Sequence, residues 1–229
     1  MLTMADYIEF SYPIDPSACV MEEGLKPPVV VARSRIDAGR HSNTSYLELF
    51  AHTGTHIDAP WHFIDGGFKI EDFSIEDFVF SKIHFVEIEA HGWEPIPRQK
   101  FLSHEQDLEN SDCLLIHSGF SKKRKTSKTE YIEATPGLSF EAARYLSEFK
   151  NLRCIGVDFI SIENVQNGRK TGFPVHHVLL GDQTPRLLLE DADLSRLSGK
   201  KIKKVFLFPM RMVGIEASPV TAVAEIMTT

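Results

Sequence analysis

Residues 52–63 read "HTGTHIDAPWHF", three histidines and one aspartate in a short run. Helical spacing would set His52 and His56 on one face, as in zinc-protease helices. The composition opposes a helix. Thr53, Gly54, Thr55 and Ile57 are poor helix formers, and Pro60 restricts Ala59 against helical angles. Alternation fits better. His52, Gly54, His56, Asp58, Pro60 and His62 share one parity, and Thr53, Thr55, Ile57, Ala59, Trp61 and Phe63 the other. An extended chain therefore sends polar groups to one side and apolar bulk to the core. Fully extended, His52 and Asp58 would stand roughly 20 Å apart, at about 3.3 Å per residue. Metal ligands hold their donor atoms at about 2.0–2.2 Å from the ion. The segment must bend if these side chains share an ion, and Gly54 is where a bulge costs least. Pro60 then turns the chain and lets His62 return to the rim of the site without being a ligand. The run is expected to be a metal site.

The rest of the chain sets bounds. It has 229 residues, 42% hydrophobic and 25% charged. That suits one domain over residues 1–229 with a sizeable core. The formal net charge of −7 argues against a nucleic-acid binder. No apolar run reaches the length of a membrane span, and no secretory signal is expected at the N-terminus. Cys19, Cys113 and Cys154 are far apart and fit neither a disulfide framework nor a zinc ribbon, so a cytoplasmic, reducing setting is expected.

Strands are expected at 27–36, 84–90, 112–120, 152–159 and 202–209. Residues 113–116 and 154–157 are apolar throughout, as where both faces of a sheet are covered. Residues 139–150 form the clearest helix, capped by Ser139, with Ala142, Ala143, Leu146 and Phe149 at helical spacing. A short helix capped by Ser74 is expected over 74–80. Strands interspersed with helices in an unbroken chain predict a single α/β domain. The basic segment "SKKRKTSK" (121–128) could meet an anion, but reads first as a solvated loop. His41, His84, His91 and His104 are scattered, with no neighbouring ligand set. His117 is read as structural, and Asp158 either orients a ligand or holds a turn.

"HTGTHIDAPWHF" resembles the signature His-x-Gly-Thr-His-x-Asp-x-Pro-x-His of the cyclase-like metal-dependent hydrolases, which include bacterial kynurenine formamidases and isatin hydrolases. "LLIHSGF" (114–120), "IGVDFISIE" (155–163) and "HHVLL" (176–180) are similar to further blocks of that family. The resemblance implies a swivelling β/β/α fold with a mixed, barrel-like sheet flanked by helices. It implies that His52, His56 and Asp58 hold a first metal ion, with Asp58 as bridge. His176, favoured over a packed or supporting His177, would hold a second with Glu190, a short insertion being assumed across "GDQTPRLLLED". His62 resembles the catalytic acid/base.

Imidazole and carboxylate donors without thiolate suit Zn²⁺ or Mn²⁺, two ions per chain. Such ions make hydroxide available near neutral pH, and His62 could relay its proton to a departing nitrogen. The expected reaction is hydrolysis of an amide-type C–N bond of a small molecule. The resemblance implies the formamide of N-formylkynurenine, in tryptophan catabolism, or a cyclic amide as in isatin. "VMEEGLKPPVVVARS" (20–34) departs from the kynurenine formamidases, which carry a Val-Trp-Pro-Gly-Asp stretch there. Trp61 and Phe63 are alternative aromatic walls. A metal-dependent lyase or dehydratase and a non-catalytic metal-binding protein are the rival classes. A dimer or tetramer is implied by the family.

Overall fold

The computed structural model describes residues 6–18, 20, 24–181 and 184–227. Cys19 lies outside them. Eleven strands are present among these residues. They are β1 (Asp6–Glu9), β2 (Val29–Ser34), β3 (Thr44–Glu48), β4 (His56–Asp58), β5 (Val79–Phe80), β6 (Ile83–Glu87), β7 (Cys113–His117), β8 (Cys154–Val157), β9 (Leu187–Glu190), β10 (Ile202–Pro209) and β11 (Ala217–Ile226). Nine form a mixed sheet in the order β5-β10-β11-β4-β9-β8-β7-β6, with β1 also on β11. β6 to β9 run parallel, and the remaining pairs are antiparallel. The sheet curls into a nearly closed barrel in a single α/β domain, with β6 and β10 approaching across the gap.

Six α-helices accompany the sheet: α1 (Glu105–Glu109), α2 (Lys122–Thr126), α3 (Lys128–Glu133), α4 (Phe140–Ser147), α5 (Val165–Thr171) and α6 (Pro174–Leu180). Two apolar cores explain the all-apolar strands. Leu114, Ile116, Ile155 and Val157 pack with Ala142, Ala143 and Leu146 of α4 and Leu179 of α6. Cys113, Leu115 and Cys154 point the other way, into the barrel, with Ile57, Leu187, Leu189 and Leu207. Each of these strands buries both faces, so neither can carry polar alternation. Arg186, fully buried, donates to the carbonyls of Phe149, Leu152 and Leu179, satisfying acceptors where α4 and α6 run out.

The strand expected at 202–209 is β10, while the other four expected strands are shorter than the apolar runs suggest. β7 stops at a turn held by buried Asp158, which accepts from Ser118 N, Ser118 Oγ and Gly119 N. That assigns Asp158 to the turn. The helix expected over 139–150 is α4, and Ser139 caps it by accepting from Ala142 N. The helix expected over 74–80 is instead a 3-10 turn, Ile75–Phe78, followed by β5. Asp77 accepts from Ser74 N and closes a single tight turn, and Val79 and Phe80 then pair with Phe206 and Val205.

The basic segment is also not a solvated loop. Lys122–Thr126 is helical, and Arg124 turns inward to pair with buried Asp191 through two 2.8 Å bonds. Its guanidinium stacks over Tyr12 at 3.9 Å. β2 and β3 form a separate hairpin that leaves Val30, Val31, Tyr46 and Leu47 exposed. Among the described residues, no helix is long and apolar enough to cross a membrane.

Candidate metal centre

The parity reading of 52–63 survives over three residues. Only His56–Asp58 is a strand, and Pro60–His62 is a 3-10 turn that Pro60 opens. β4 lies between β11 and β9, with His56 directly opposite Glu190. Ile57, between the two polar residues, faces the barrel core. His52 reaches the site because Gly54 bends the chain at φ +64°.

Three overlapping ligand sets result, one of them His52, His62 and Glu216. Donor atoms of His52, His56 and Asp58 lie within 4.8 Å of one another, as do those of Asp58, His176 and Glu190. His52 Nδ1 is 2.9 Å from Asp58 Oδ1, and His56 Nε2 is 3.4 Å from it. His56 Nε2 and His176 Nε2 each stand 3.5 Å from a Glu190 oxygen, one on either side. His62 Nε2 sits further out, 4.0 Å from Asp58 Oδ2. His176 is buried at the first turn of α6, whereas its neighbour His177 is exposed and edge-on to Phe63.

Supporting groups fix each ring. His56 Nδ1 donates to the Gly54 carbonyl at 2.8 Å, which turns the Nε2 lone pair to the site. Glu163 accepts from the backbone N–H groups of Val175 and His176 and lies 3.0 Å from His176 Nδ1. It caps α6 and aims Nε2 at Glu190. Glu216 stands 3.1 Å from His52 Nε2, leaving Nδ1 toward Asp58. Glu190 accepts from Ile162 N at 2.6 Å and Ser161 Oγ at 3.2 Å.

The electrostatics fit a divalent cation. His56 Nε2 and both Asp58 oxygens are buried without a hydrogen bond. Unmet buried polar atoms are costly, and a bound ion would satisfy them. Burial disfavours charge on His52, His56 and His176, yet the carboxylates outweigh it. Asp58 and Glu216 hold His52 up at about 8, and Glu163 and Glu190 hold His176 at about 9. Burial likewise opposes ionised Asp58, but His52 and His56 hold it well below the usual carboxylate range. The carboxylates thus hold positive charge at this point. Above them opens a cavity of about 330 Å³, walled by Phe50, Phe63, Ile160 and Phe173. Trp61 is not in the lining; it is partly exposed beneath Lys69.

Sequence reasoning missed Glu163 and Glu216. Glu163 closes the quoted block "IGVDFISIE", but nothing in that block pairs it with His176. Glu216 has no local signal, since β11 brings it in from the far end of the chain. His84 and His104, read as lacking ligand neighbours, in fact meet Asp107. Their separation in sequence hid the contact between β6 and α1.

The profile of the Cyclase family matches residues 8–164. A kynurenine formamidase of Bacillus cereus is 28% identical over 96% of this chain and 97% of its own length. A solved isatin hydrolase, bound to the product analogue thioisatinate, superposes with a TM-score of 0.82 at 17% identity, covering 98% of this chain and 93% of the other. A protein described as a potential metal-dependent hydrolase with cyclase activity superposes with a TM-score of 0.73 at 22% identity, covering 99% and 100% of the two chains. At these identities the two structures speak for the fold.

Proposed function

This chain belongs to the Cyclase family, and from that membership we propose that it is a metal-dependent hydrolase cleaving an amide-type C–N bond of a small molecule. The observation that carries this reading is the convergence of His52, His56, Asp58, His176 and Glu190 beneath one cavity, with both buried Asp58 oxygens lacking a hydrogen bond. His52, His56 and Asp58 would hold one Zn²⁺ or Mn²⁺ ion. Asp58, His176 and Glu190 would hold a second. Such ions, when bound, supply Lewis acidity that acidifies water and polarises a carbonyl.

The chain's own residues do the rest. Burial pushes His62 down to about 4, against the opposing charge of Asp58. Its imidazole is therefore neutral at neutral pH, the form that takes a proton from attacking water. The same ring returns that proton to the departing nitrogen, so the water oxygen ends on the carbonyl carbon and the proton on the amine. Phe50, Phe63 and Phe173 suit a flat aryl group, and the cavity size suits a small molecule. An arylformamide such as N-formylkynurenine is the first candidate, as the name of the Bacillus cereus relative suggests. A cyclic aryl amide is the second, by likeness to the isatin hydrolase.

We further assign a homo-oligomer, supported by the exposed apolar hairpin of β2 and β3. A reducing, cytoplasmic setting is supported by the buried free thiols Cys113 and Cys154, register neighbours on β7 and β8. The test is to strip the protein with chelator, reload it with zinc or manganese, and assay aryl formamides and cyclic amides in isotope-labelled water. Metal-dependent turnover with label in the carboxylate product is expected. Turnover that persists without metal, or a metal-loaded protein inert on both classes, overturns the reading.

A further inference from the structure

A second group of metal-type ligands lies away from the cavity. His84 is on β6, the end strand of the parallel run, and His104 immediately precedes α1. Asp107 follows on α1 at the spacing that puts it on the same helical face as His104. His84 Nε2 and His104 Nδ1 are 3.0 Å apart, with ring centroids 4.9 Å apart. An Asp107 oxygen stands 4.0 Å from His84 Nδ1. One donor atom from each of the three residues falls within 4.8 Å of the others. β6 is separated from β9 by two strands, so this cluster lies about 14 Å along the sheet from the strand that carries Glu190. In register it is level with Leu114, which packs on the helix side of the sheet and not into the barrel. It shares no residue with the candidate centre.

We infer that His84, His104 and Asp107 form a peripheral site for a divalent transition-metal ion. Two imidazoles and a carboxylate suit zinc, copper or nickel, not the hard cations that take oxygen alone. A tetrahedral zinc with bonds of about 2.0–2.1 Å holds two nitrogens about 3.4 Å apart, so the rings need to part by only a few tenths of an ångström. His104 meets His84 at Nε2 while Asp107 stands nearer Nδ1, so the Asp107 carboxylate must swing toward Nε2 to complete the set. Glu105 and Glu109 on the same short helix add negative potential. Asp107 is exposed and free to swing onto an ion. With three protein ligands the site is open to water, and it binds more weakly than a closed structural zinc site. An ion there ties residues 102–109 to β6, which makes it a stabilising clip at the sheet edge.

The test is calorimetric titration of metal-free, full-length protein with zinc alone, comparing the parent with the His84→Gln/His104→Gln variant. The parent should bind one zinc per chain more than the variant. Excess zinc should also raise the parent's melting temperature by about 5 °C more than the variant's. Counting by difference keeps the result independent of the main centre. Turnover of the metal-loaded variant should match the parent. Equal stoichiometry in the two proteins overturns the assignment. Should the double variant fold poorly, Asp107→Asn changes an exposed side chain and preserves the histidines. It should weaken the extra ion about tenfold or more. An unchanged affinity for that ion overturns the three-ligand site.

Discussion

At Gly54 the backbone holds φ +64°, and a β-carbon there would meet nothing closer than Ile14 Cγ1 at 3.7 Å. The demand is conformational, not steric crowding. A β-branched residue in this region costs of order 1–3 kcal/mol, and the Gly54 carbonyl is what orients His56. Gly54→Val should therefore lower both metal content and melting temperature, read by elemental analysis and calorimetry. His62 tests a different role. It belongs to neither of the two sets that share Asp58, so His62→Ala should keep metal content near the parent's and lower turnover by roughly 10²–10⁴-fold. His56→Ala should lose metal and turnover together. Metal loss in His62→Ala would make that residue a ligand. Glu163 acts through His176 by holding its Nδ1 and the first N–H groups of α6. Replacing it by glutamine should weaken metal binding roughly 10–100-fold, the usual worth of such outer partners. Competition with a chromophoric chelator measures this directly.

At the scale of elements, the centre is assembled by strand register backed by a buried ion pair. β9 ends in Glu190 and is followed by Asp191, whose φ is +52°. Arg124 from α2 and Tyr131 from α3 both bind the Asp191 carboxylate, and Thr55 donates to its carbonyl. Glu190 and His56 are thus each one residue away from a shared polar knot. Removing one partner of a buried pair leaves an uncompensated charge, a loss of about 3–5 kcal/mol. Arg124→Leu should show that loss in urea unfolding, with metal affinity falling as β9 loosens. Arg124→Leu/Asp191→Asn should recover part of the stability, because no lone charge remains. A single variant as stable as the parent would show that the pair is dispensable.

At the scale of the molecule, the β2–β3 hairpin is the least supported part. Its apolar side chains stay exposed, and neither strand joins the nine-stranded sheet. An isolated two-stranded hairpin is marginal in water. Sedimentation should therefore find an oligomer, and Tyr46→Asp with Leu47→Asp should shift it toward monomer. A monomeric parent would remove the proposed assembly.

Much of the centre was legible along the chain because His52, His56, Asp58 and His62 are local, spaced by a hinge glycine and a turning proline. The helix at Ser139 was legible for the same reason, since a cap and a helical stripe are short-range facts. The all-apolar β7 and β8 announced a sheet covered on both faces. What the tertiary structure decided was everything that depends on register and long closure. Only the β4–β9 pairing sets His56 opposite Glu190, and only the α6 cap buries His176 beside Glu190 while His177 is exposed. Arg124 reads as one cation in a basic run until Asp191 is brought beneath it. Glu216 carries no local pattern, and nothing local joins His84 to His104 and Asp107. Composition and periodicity report which face a residue turns, while a ligand sphere needs atoms brought within a few ångströms by segments far apart in the chain.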